Sequence, residues 1–561
     1  MKRLYFQTLI LIIVCLWQTM ASAQTIRIED IKKNFSKKEW FKVSGGVSAS
    51  GTYYTASEMY GHLPWTFMIQ GNVNFKIFNL INLPFSFNFT NSGFTYAYPN
   101  MPNRFSLHPS YKWAAAHIGD ISMTYSPYTL SGHQFTGIGA DLTPGKWKAS
   151  VMFGRLQRAV EYDPSNTSST VQACYKRLGV GAKLRYDHSV FYVGGSIFLA
   201  KDYENSLRWK PDSLGITPQQ NVAANIEAGF TLFKALRLYA EYAFSFLERD
   251  IRIENNASIK FYQAAKCGIS YQINKTSFGF NYERIEPEYK TLGAYYFNSD
   301  LENYTLNVTS TFYKDKMSLA VNAGVERDNI KNTKSSVSLR FVGSINWTFT
   351  PDEEWYIALD YSNFQTHKNV RSQFDYINQY DITENLDTLN FSQLSHNANM
   401  AVTWNVSKSD KRQHNLSLNS TFQMTQEEYA DTTISVNPTI MLNSAIMHSA
   451  KISDKNVTVS TSANVTWSRT LGIESIYVGP TIAITALFVN RTLTWNNSLS
   501  ANAGLMDGSY KRTVANVRTA LTYTLKKHHL FTLNGIFQYQ WVSGENDIYR
   551  FNSTLAYAYN F

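Results

Sequence analysis

His108, His117 and His133 fall in one irregular stretch between Thr90 and Thr136. Histidine is the side chain that most readily supplies a general base or a metal ligand near neutral pH. Either chemistry needs partners held beside it: a nucleophile and an orienting carboxylate, or three or four ligating atoms. The sequence offers no such set. It has no GxSxG elbow, no HExxH and no P-loop, and its three cysteines make no CxxC. No catalytic, cofactor-binding or metal residue is assigned, and neither enzymatic activity nor a cofactor is expected.

A second set of residues carries charge at alternating positions. Lys183, Arg185, Arg237, Lys266, Arg340, Arg518 and Arg550 stand against Glu227, Glu241, Glu283 and Asp360. Mixed signs on one face of a sheet serve either as a hydrated wall with its charges paired or as a constriction that selects among solutes, and both readings stay open. The most basic neighbourhood is Arg155, Arg158, Lys176, Arg177, Lys183 and Arg185. It could attract anions or the acidic sugars of lipopolysaccharide, or be an ordinary solvated face. A net charge of +10 spread over 561 residues, without a Lys/Arg block, gives no footprint for nucleic acid.

The elements that carry these residues are strands. From about residue 41 to the last residue the chain alternates with period two, so successive side chains point to opposite faces. Val457, Val459, Ala463, Val465 and Trp467 share one face, and Thr458, Ser460, Ser462, Asn464 and Thr466 the other. Phe531, Leu533, Phe537, Tyr539 and Trp541 alternate in the same way with Thr532, Asn534, Gln538 and Gln540. Many runs reach roughly 11–14 residues, longer than a typical sandwich strand and suited to a tilted membrane-spanning one. Aromatic residues close many outward faces, as an interfacial girdle requires. After the first 23 residues no apolar run is long enough for a spanning helix. The fold class expected is all-β: a single large antiparallel transmembrane β-barrel of about 24 strands, within 22–26. Only a closed sheet satisfies every backbone group in lipid without helices.

Residues 1–23 read as a signal peptide, with Lys2 and Arg3, the apolar stretch Leu4 to Trp17, and Ala21-Ser22-Ala23 before Gln24. Residues 24–40 form a short periplasmic lead, and 41–561 the barrel. Cys15 leaves with the signal, and Cys174 and Cys267 are expected to be free thiols. Short links such as Lys234-Ala235 and Asn274-Lys275 alternate with long ones near 202–221, 288–301 and 366–391, placing the short turns in the periplasm. The count breaks between Thr90 and Thr136, around Pro99, Pro102, Pro109 and Pro127. Residues 92–133 are either a segment inserted into the lumen or covering its mouth, or a long outer loop followed by an unrecognised strand.

Two stretches, Ser131 to Lys146 (SGHQFTGIGADLTPGK) and Leu292 to Thr305 (LGAYYFNSDLENYT), together with this pattern resemble a family of large, mostly uncharacterised outer-membrane β-barrel proteins of the Bacteroidetes lineage. The resemblance implies a porin-like barrel without a TonB-type plug domain, and carries over no catalytic residue. Leu555, Tyr557, Tyr559 and Phe561 alternate at the end of the last strand and resemble the signal that such barrels present to their insertion machinery. The expected function is a passage, or part of one, for solutes or polymers across the outer membrane of a Gram-negative bacterium. The alternative is a non-conducting scaffold that docks a lipoprotein or secretion component. Expected partners are outer-membrane lipids including lipopolysaccharide, the barrel-insertion machinery, and such a lipoprotein or secretion partner. Cysteines at Asn464 and Gln538 are expected to react with water-soluble reagents, and cysteines at Val465 and Phe537 are not.

Overall fold

The computed structural model describes residues 40–57, 63–91, 104–161, 173–253, 259–295, 298–332, 337, 339–363, 394–409, 411–426 and 438–561. The expected signal, nearly all of the expected lead, and residues 92–103 lie outside this set.

The wall begins with β1 (Phe41–Ala56), β2 (Trp65–Ile77) and β3 (Ile81–Thr90). The next position is shared by β4 (Arg104–Leu107) and β5 (Ser110–Tyr111), which pair with β3 on one side and with β6 (Ala114–Thr124) on the other. Then follow β7 (Ser131–Leu142), β8 (Trp147–Gln157), β9 (Lys176–Asp187), β10 (Phe191–Tyr203) and β11 (Gln220–Leu232). They are succeeded by β12 (Leu236–Glu248), β13 (Ile259–Ile273), β14 (Thr276–Ile285), β15 (Leu301–Phe312) and β16 (Met317–Arg327). The wall continues through β17 (Leu339–Phe349), β18 (Trp355–Ser362), β19 (Leu394–Lys408), β20 (Arg412–Gln426) and β21 (Thr439–Ile452). It ends with β22 (Val457–Thr470), β23 (Ile473–Phe488), β24 (Leu493–Met506), β25 (Ser509–Leu525), β26 (His529–Val542) and β27 (Ile548–Asn560).

Neighbours in sequence pair antiparallel, and β27 returns to β1 through eleven register pairs from Gly46↔Asn560 to Ala56↔Arg550. The sheet therefore meets its own edge, as a closed barrel of 26 strands. The stretch between Thr90 and Thr136 holds two wall positions that its prolines hide. Pro109 sits between β4 and β5, where it has no N–H to give the ladder, so one wall strand is split in two. At a strand spacing of about 4.8 Å and a tilt of ~40°, a round barrel of this size is roughly 50 Å across, backbone to backbone.

The outer face carries the large apolar side chains. Ile226, Phe230, Tyr242, Phe246, Phe341, Val465, Leu499 and Phe537 are exposed there, alternating with polar or buried neighbours. Ring contacts run around the short-turn end from Trp147 to Tyr186 (4.9 Å), to Phe191 (6.1 Å) and to Phe230 (6.2 Å). At the opposite end Phe246 meets Phe261 at 4.8 Å and Tyr539 meets Trp541 at 4.8 Å. An apolar band between two aromatic girdles is the surface that lipid demands. The strands are transmembrane strands, and among the described residues no helix is long and apolar enough to cross a membrane. Leu555, Tyr557 and Tyr559 pair with Gly51, Ala49 and Val47, and Phe561 exchanges backbone hydrogen bonds with Gly45, so these residues form the closing seam.

Two hairpins at the long-loop end are as tight as hairpins can be. Leu471 and Gly472 (φ 52° and 87°) join β22 to β23, and Asp507 and Gly508 (φ 49° and 75°) join β24 to β25. Positive φ at both central residues matches the twist of the flanking strands, and glycine takes the second position without a Cβ penalty.

Candidate functional site in the barrel interior

Antiparallel register assembles the inner wall. Directly opposed residues share a face, and the pairs Arg185↔Gly194, Gly194↔Glu227, Glu227↔Glu241, Glu241↔Lys266 and Lys266↔Glu283 follow one another across β9 to β14. The line goes on through Glu283↔Asn303, Asn303↔Glu326 and Glu326↔Arg340 to β17. Charges scattered over 150 residues of sequence thus form one rung, with Lys183 a step to one side opposite Ser196. Glu326, which sequence reading passed over, completes it. The pairing is local: Lys183 and Arg185 reach Glu227 at 3.4 and 3.6 Å, Arg185 Nε donates to Asp187 at 2.7 Å, and Lys266 lies 3.9 Å from Glu283. Arg340 Nε donates to Glu326 Oε1 at 2.7 Å.

The remaining predicted charges stand apart. Arg237 is exposed between Thr231 and Ser270 near the short-turn end. Asp360 lies between Asn346 and Asn399, and Arg518 between Ser498 and Ile536. Arg550 donates to Gln538 Oε1 at 3.1 Å. The basic neighbourhood of β8 and β9 is not a single patch. Arg155 falls on the outer face with Val151 and Phe153 and reaches Thr136 at 3.4 Å, while Thr136 bonds Asp120 at 2.5 Å. Lys176 covers the Tyr203 ring, and Arg177 clasps buried Asp202 through two bonds of 2.7 and 2.9 Å. Alternation splits consecutive basic residues between faces.

Against the charged rung lies a piece of chain that leaves the wall. Of residues 104–133, β4 to β6 and the start of β7 run in the wall, and only 125–130 turns inward. Tyr128 is 1% exposed, and Thr129 and Leu130 are fully buried. The connection between β14 and β15 comes in to meet it: Leu130 and Gly293 form a parallel bridge, and Ser131 N donates to Gly293 O at 2.9 Å. Tyr289 Oη donates to Tyr128 O at 2.8 Å, and Thr291 Oγ1 to Thr129 O at 2.6 Å. A Cβ on Gly293 would stand 2.5 Å from Thr129 O and 2.8 Å from the Phe198 ring, so this contact requires a residue without one. The two stretches that carried the family resemblance meet here.

The wall is adapted to this intrusion. Met152, Leu156, Phe198, Ala243, Leu247, Tyr262 and Ala264 point inward and form one buried cluster with Tyr128, Leu130, Tyr289 and Leu292. Burying one such side chain contributes about 1.5–3 kcal/mol. Polar groups anchor the edges. Ser126 Oγ donates to Glu241 Oε1, Tyr128 Oη to Glu283 Oε1 at 2.5 Å, and Lys183 Nζ to Tyr125 O at 2.5 Å. Leu292 N donates to Asn221 Oδ1 at 3.1 Å, and Thr129 Oγ1 meets Ser196 Oγ at 2.9 Å. Burial, and then the Glu283 carboxylate, push the Tyr128 hydroxyl well above its ordinary range, so it stays a donor. Inward apolar residues such as Phe198 and Leu247 escaped the sequence reading. Their only signal was apolar side chains on both faces of one strand, as in Phe244-Ser245-Phe246-Leu247.

The histidines of this region take packing positions. His108 Nδ1 meets His117 Nδ1 at 2.7 Å, His117 Nε2 meets Asp141 Oδ2 at 2.9 Å, and buried His133 stacks on Tyr295 with centroids 4.1 Å apart. Among the described residues no group of three His, Cys, Asp or Glu is placed to hold a metal ion. Cys174 and Cys267 are free thiols.

The opposite wall is different. From β21 to β27 its inner face carries mainly amide and hydroxyl groups hydrogen-bonded strand to strand, with Arg512 and Arg550 bonded to Gln540 and Gln538 and with Arg518 on the same face. Asn464 Nδ2 donates to Thr481 Oγ1 at 2.9 Å, Asn516 Nδ2 to Ser500 Oγ at 3.3 Å, Gln538 Nε2 to Asn516 Oδ1 at 3.0 Å, and Gln540 Nε2 to Gln538 Oε1 at 3.1 Å. This corrects one expectation: Asn464 and Gln538 are on the inner face but only 3% and 2% exposed, so they are poor positions for aqueous labelling. Asn496 and Asn534, on the same face, are exposed.

By wall, girdles and closure the chain is a large porin-like transmembrane β-barrel. No family model and no curated protein sequence matches it. Solved structures similar to it include two mutants of Rh. blastica porin, with TM-scores of 0.27 and 0.26, both at 9% identity and both covering 54% of this chain and 98% of that one. A triple mutant of Rhodopseudomonas blastica porin has a TM-score of 0.25 at 9% identity, with the same coverage.

Proposed function

We propose that the protein is a passage for solutes across the outer membrane of a Gram-negative bacterium, narrowed from one side by residues 125–130 and the connection after β14. The observation that carries this reading is the asymmetry of the interior. Among the described residues, the two inward segments pack on β6 to β15, while the wall from β21 to β27 presents amide and hydroxyl groups interspersed with arginines such as Arg512 and Arg550. A barrel roughly 50 Å across is too wide for its own side chains to fill. Solutes move along the polar wall and past the charged rung without covalent chemistry, and no residue is given a catalytic role. Paired charges on the rung supply strong local fields of both signs and little net attraction for either.

Planar-bilayer recording of the purified full chain tests the reading. A large, steady, ohmic conductance is expected. A silent protein that co-purifies with a stoichiometric lipoprotein or secretion component would replace the passage with a docking scaffold.

A further inference from the structure

A cavity of about 540 Å³ opens between the inward segment and the wall of β12 to β17. Tyr128 closes one side, and Tyr239, Lys266, Asn281, Glu326 and Arg340 are among the residues that line the rest. Its size is that of a small-molecule site. We propose that it is a subsite for a neutral, hydroxyl-rich ring compound, a saccharide of one to three units; the proposal rests on the passage reading and names the solute class.

The charges argue against an ion. Lys266 faces Glu283 at 3.9 Å and Arg340 bonds Glu326, so an anion or a cation entering here would meet a charge of its own sign beside each opposite one. The same planar groups suit adjacent hydroxyls, because a carboxylate, a guanidinium or a carboxamide offers two parallel hydrogen-bonding positions. Asn281 accepts from Tyr239 Oη with its side-chain oxygen at 2.8 Å, which leaves its amino group as a donor at the cavity.

Tyr239 supplies the platform. Its ring packs against Gly268: a Cβ built there would come within 2.5 Å of Tyr239 Cε1 and 2.5 Å of Asn281 Oδ1. Two positions along the same row of the wall, Tyr192 lies over Gly229 in the same way, but its outer side is covered by the Arg185 guanidinium at 3.8 Å from the ring centroid. Tyr239 instead borders the cavity. An aromatic ring held against the wall of a cavity and bordered by hydrogen-bonding groups offers a surface for the C–H face of a pyranose while the groups around it bind the hydroxyls.

The test is equilibrium binding to the detergent-solubilised full chain, read by saturation-transfer NMR and calorimetry with maltotriose, cellotriose and chitotriose as probes, and acyclic sorbitol as control. At least one trisaccharide should bind saturably and sorbitol at least tenfold more weakly. Tyr239→Ala should weaken the binding about tenfold, the scale of one lost aromatic contact. Gly268→Ala, which removes no ligand group but displaces the Tyr239 ring and the Asn281 side-chain oxygen, should do the same, and Tyr192→Ala should change nothing. Absence of saturable binding by all three trisaccharides, or binding indifferent to both Tyr239→Ala and Gly268→Ala, overturns the subsite. Binding is read here without ion flow. A silent barrel that binds saccharide would end the passage reading alone, and a conducting barrel that binds none would end the subsite alone.

Discussion

The walls from β6 to β15 and from β21 to β27 are built on the same outer face and on different inner ones. Outside, Ile226 and Tyr242 in the first play the part that Val465 and Phe537 play in the second, since both meet lipid. Inside, the first carries Phe198, Leu247, Tyr262 and a charged rung, and the second carries Asn464, Asn516 and Gln538. The connections differ too: long inward-folding segments serve the first, and two-residue turns at Leu471 and Asp507 serve the second. The comparison teaches that an outer face is dictated by the bilayer, whereas an inner face is dictated by what stands against it. Water allows small neutral polar groups, and a docked segment demands apolar surface with its polar edges bonded.

The largest effect should come from undoing that difference. Leu292→Ala removes a fully buried anchor and should cost the docked segments about 2–5 kcal/mol, and Gly293→Ala should cost about 1–3 kcal/mol through the clash with Thr129 and Phe198. Either change should raise single-channel conductance and its noise without altering strand content by circular dichroism. Equivalent Asn516→Ala or Ser500→Ala changes in the bare wall should leave conductance within a small margin of the parent. Equal responses from the two walls would erase the distinction.

Thiol labelling gives a smaller and more local contrast. Cysteines at Asn496 and Asn534 should react rapidly with a membrane-impermeant maleimide, those at buried Asn464 and Gln538 slowly, and those at lipid-facing Val465 and Phe537 not at all. Rapid reaction at Val465 would invert the face assignment.

The smallest effect concerns the loops above the occupied wall. The Arg252 guanidinium, bonded to both Asp250 and Asp212, holds those two carboxyls below the usual carboxylate range. A depressed folded value means that the contact stabilises the loops above a pH of about 4 and is lost as pH falls through the lower folded values. Hydrogen exchange across residues 210–216 and 249–253 should therefore be slow at pH 7 and faster, after correction for intrinsic rates, near pH 3. The tight turn at Leu471 and Gly472, which carries no ionisable side chain, should show no such change.

How much of this was legible can be seen residue by residue. Alternation in Thr458 to Trp467 and in Phe531 to Trp541 disclosed the two faces, because lipid and water sort side chains at every second position. It failed where proline breaks the ladder, at Pro109, and where both faces are apolar, at Phe244 to Leu247. The charges of the rung were recognised singly, from Lys183 to Arg340, but their alignment was not, nor was the membership of Glu326.

The sequence by itself determined that this chain would be a closed sheet with an apolar outside, for the reason that periodicity is a local property written into neighbouring residues. Only the tertiary structure decided which charges stand side by side and that Tyr128, Leu130 and Gly293 meet inside the barrel. Docking of the inward segments depends on contacts between residues 67 to 162 positions apart, and the alignment of the rung on the register of each strand pair, such as Glu241↔Lys266, neither of which the alternation within one strand encodes.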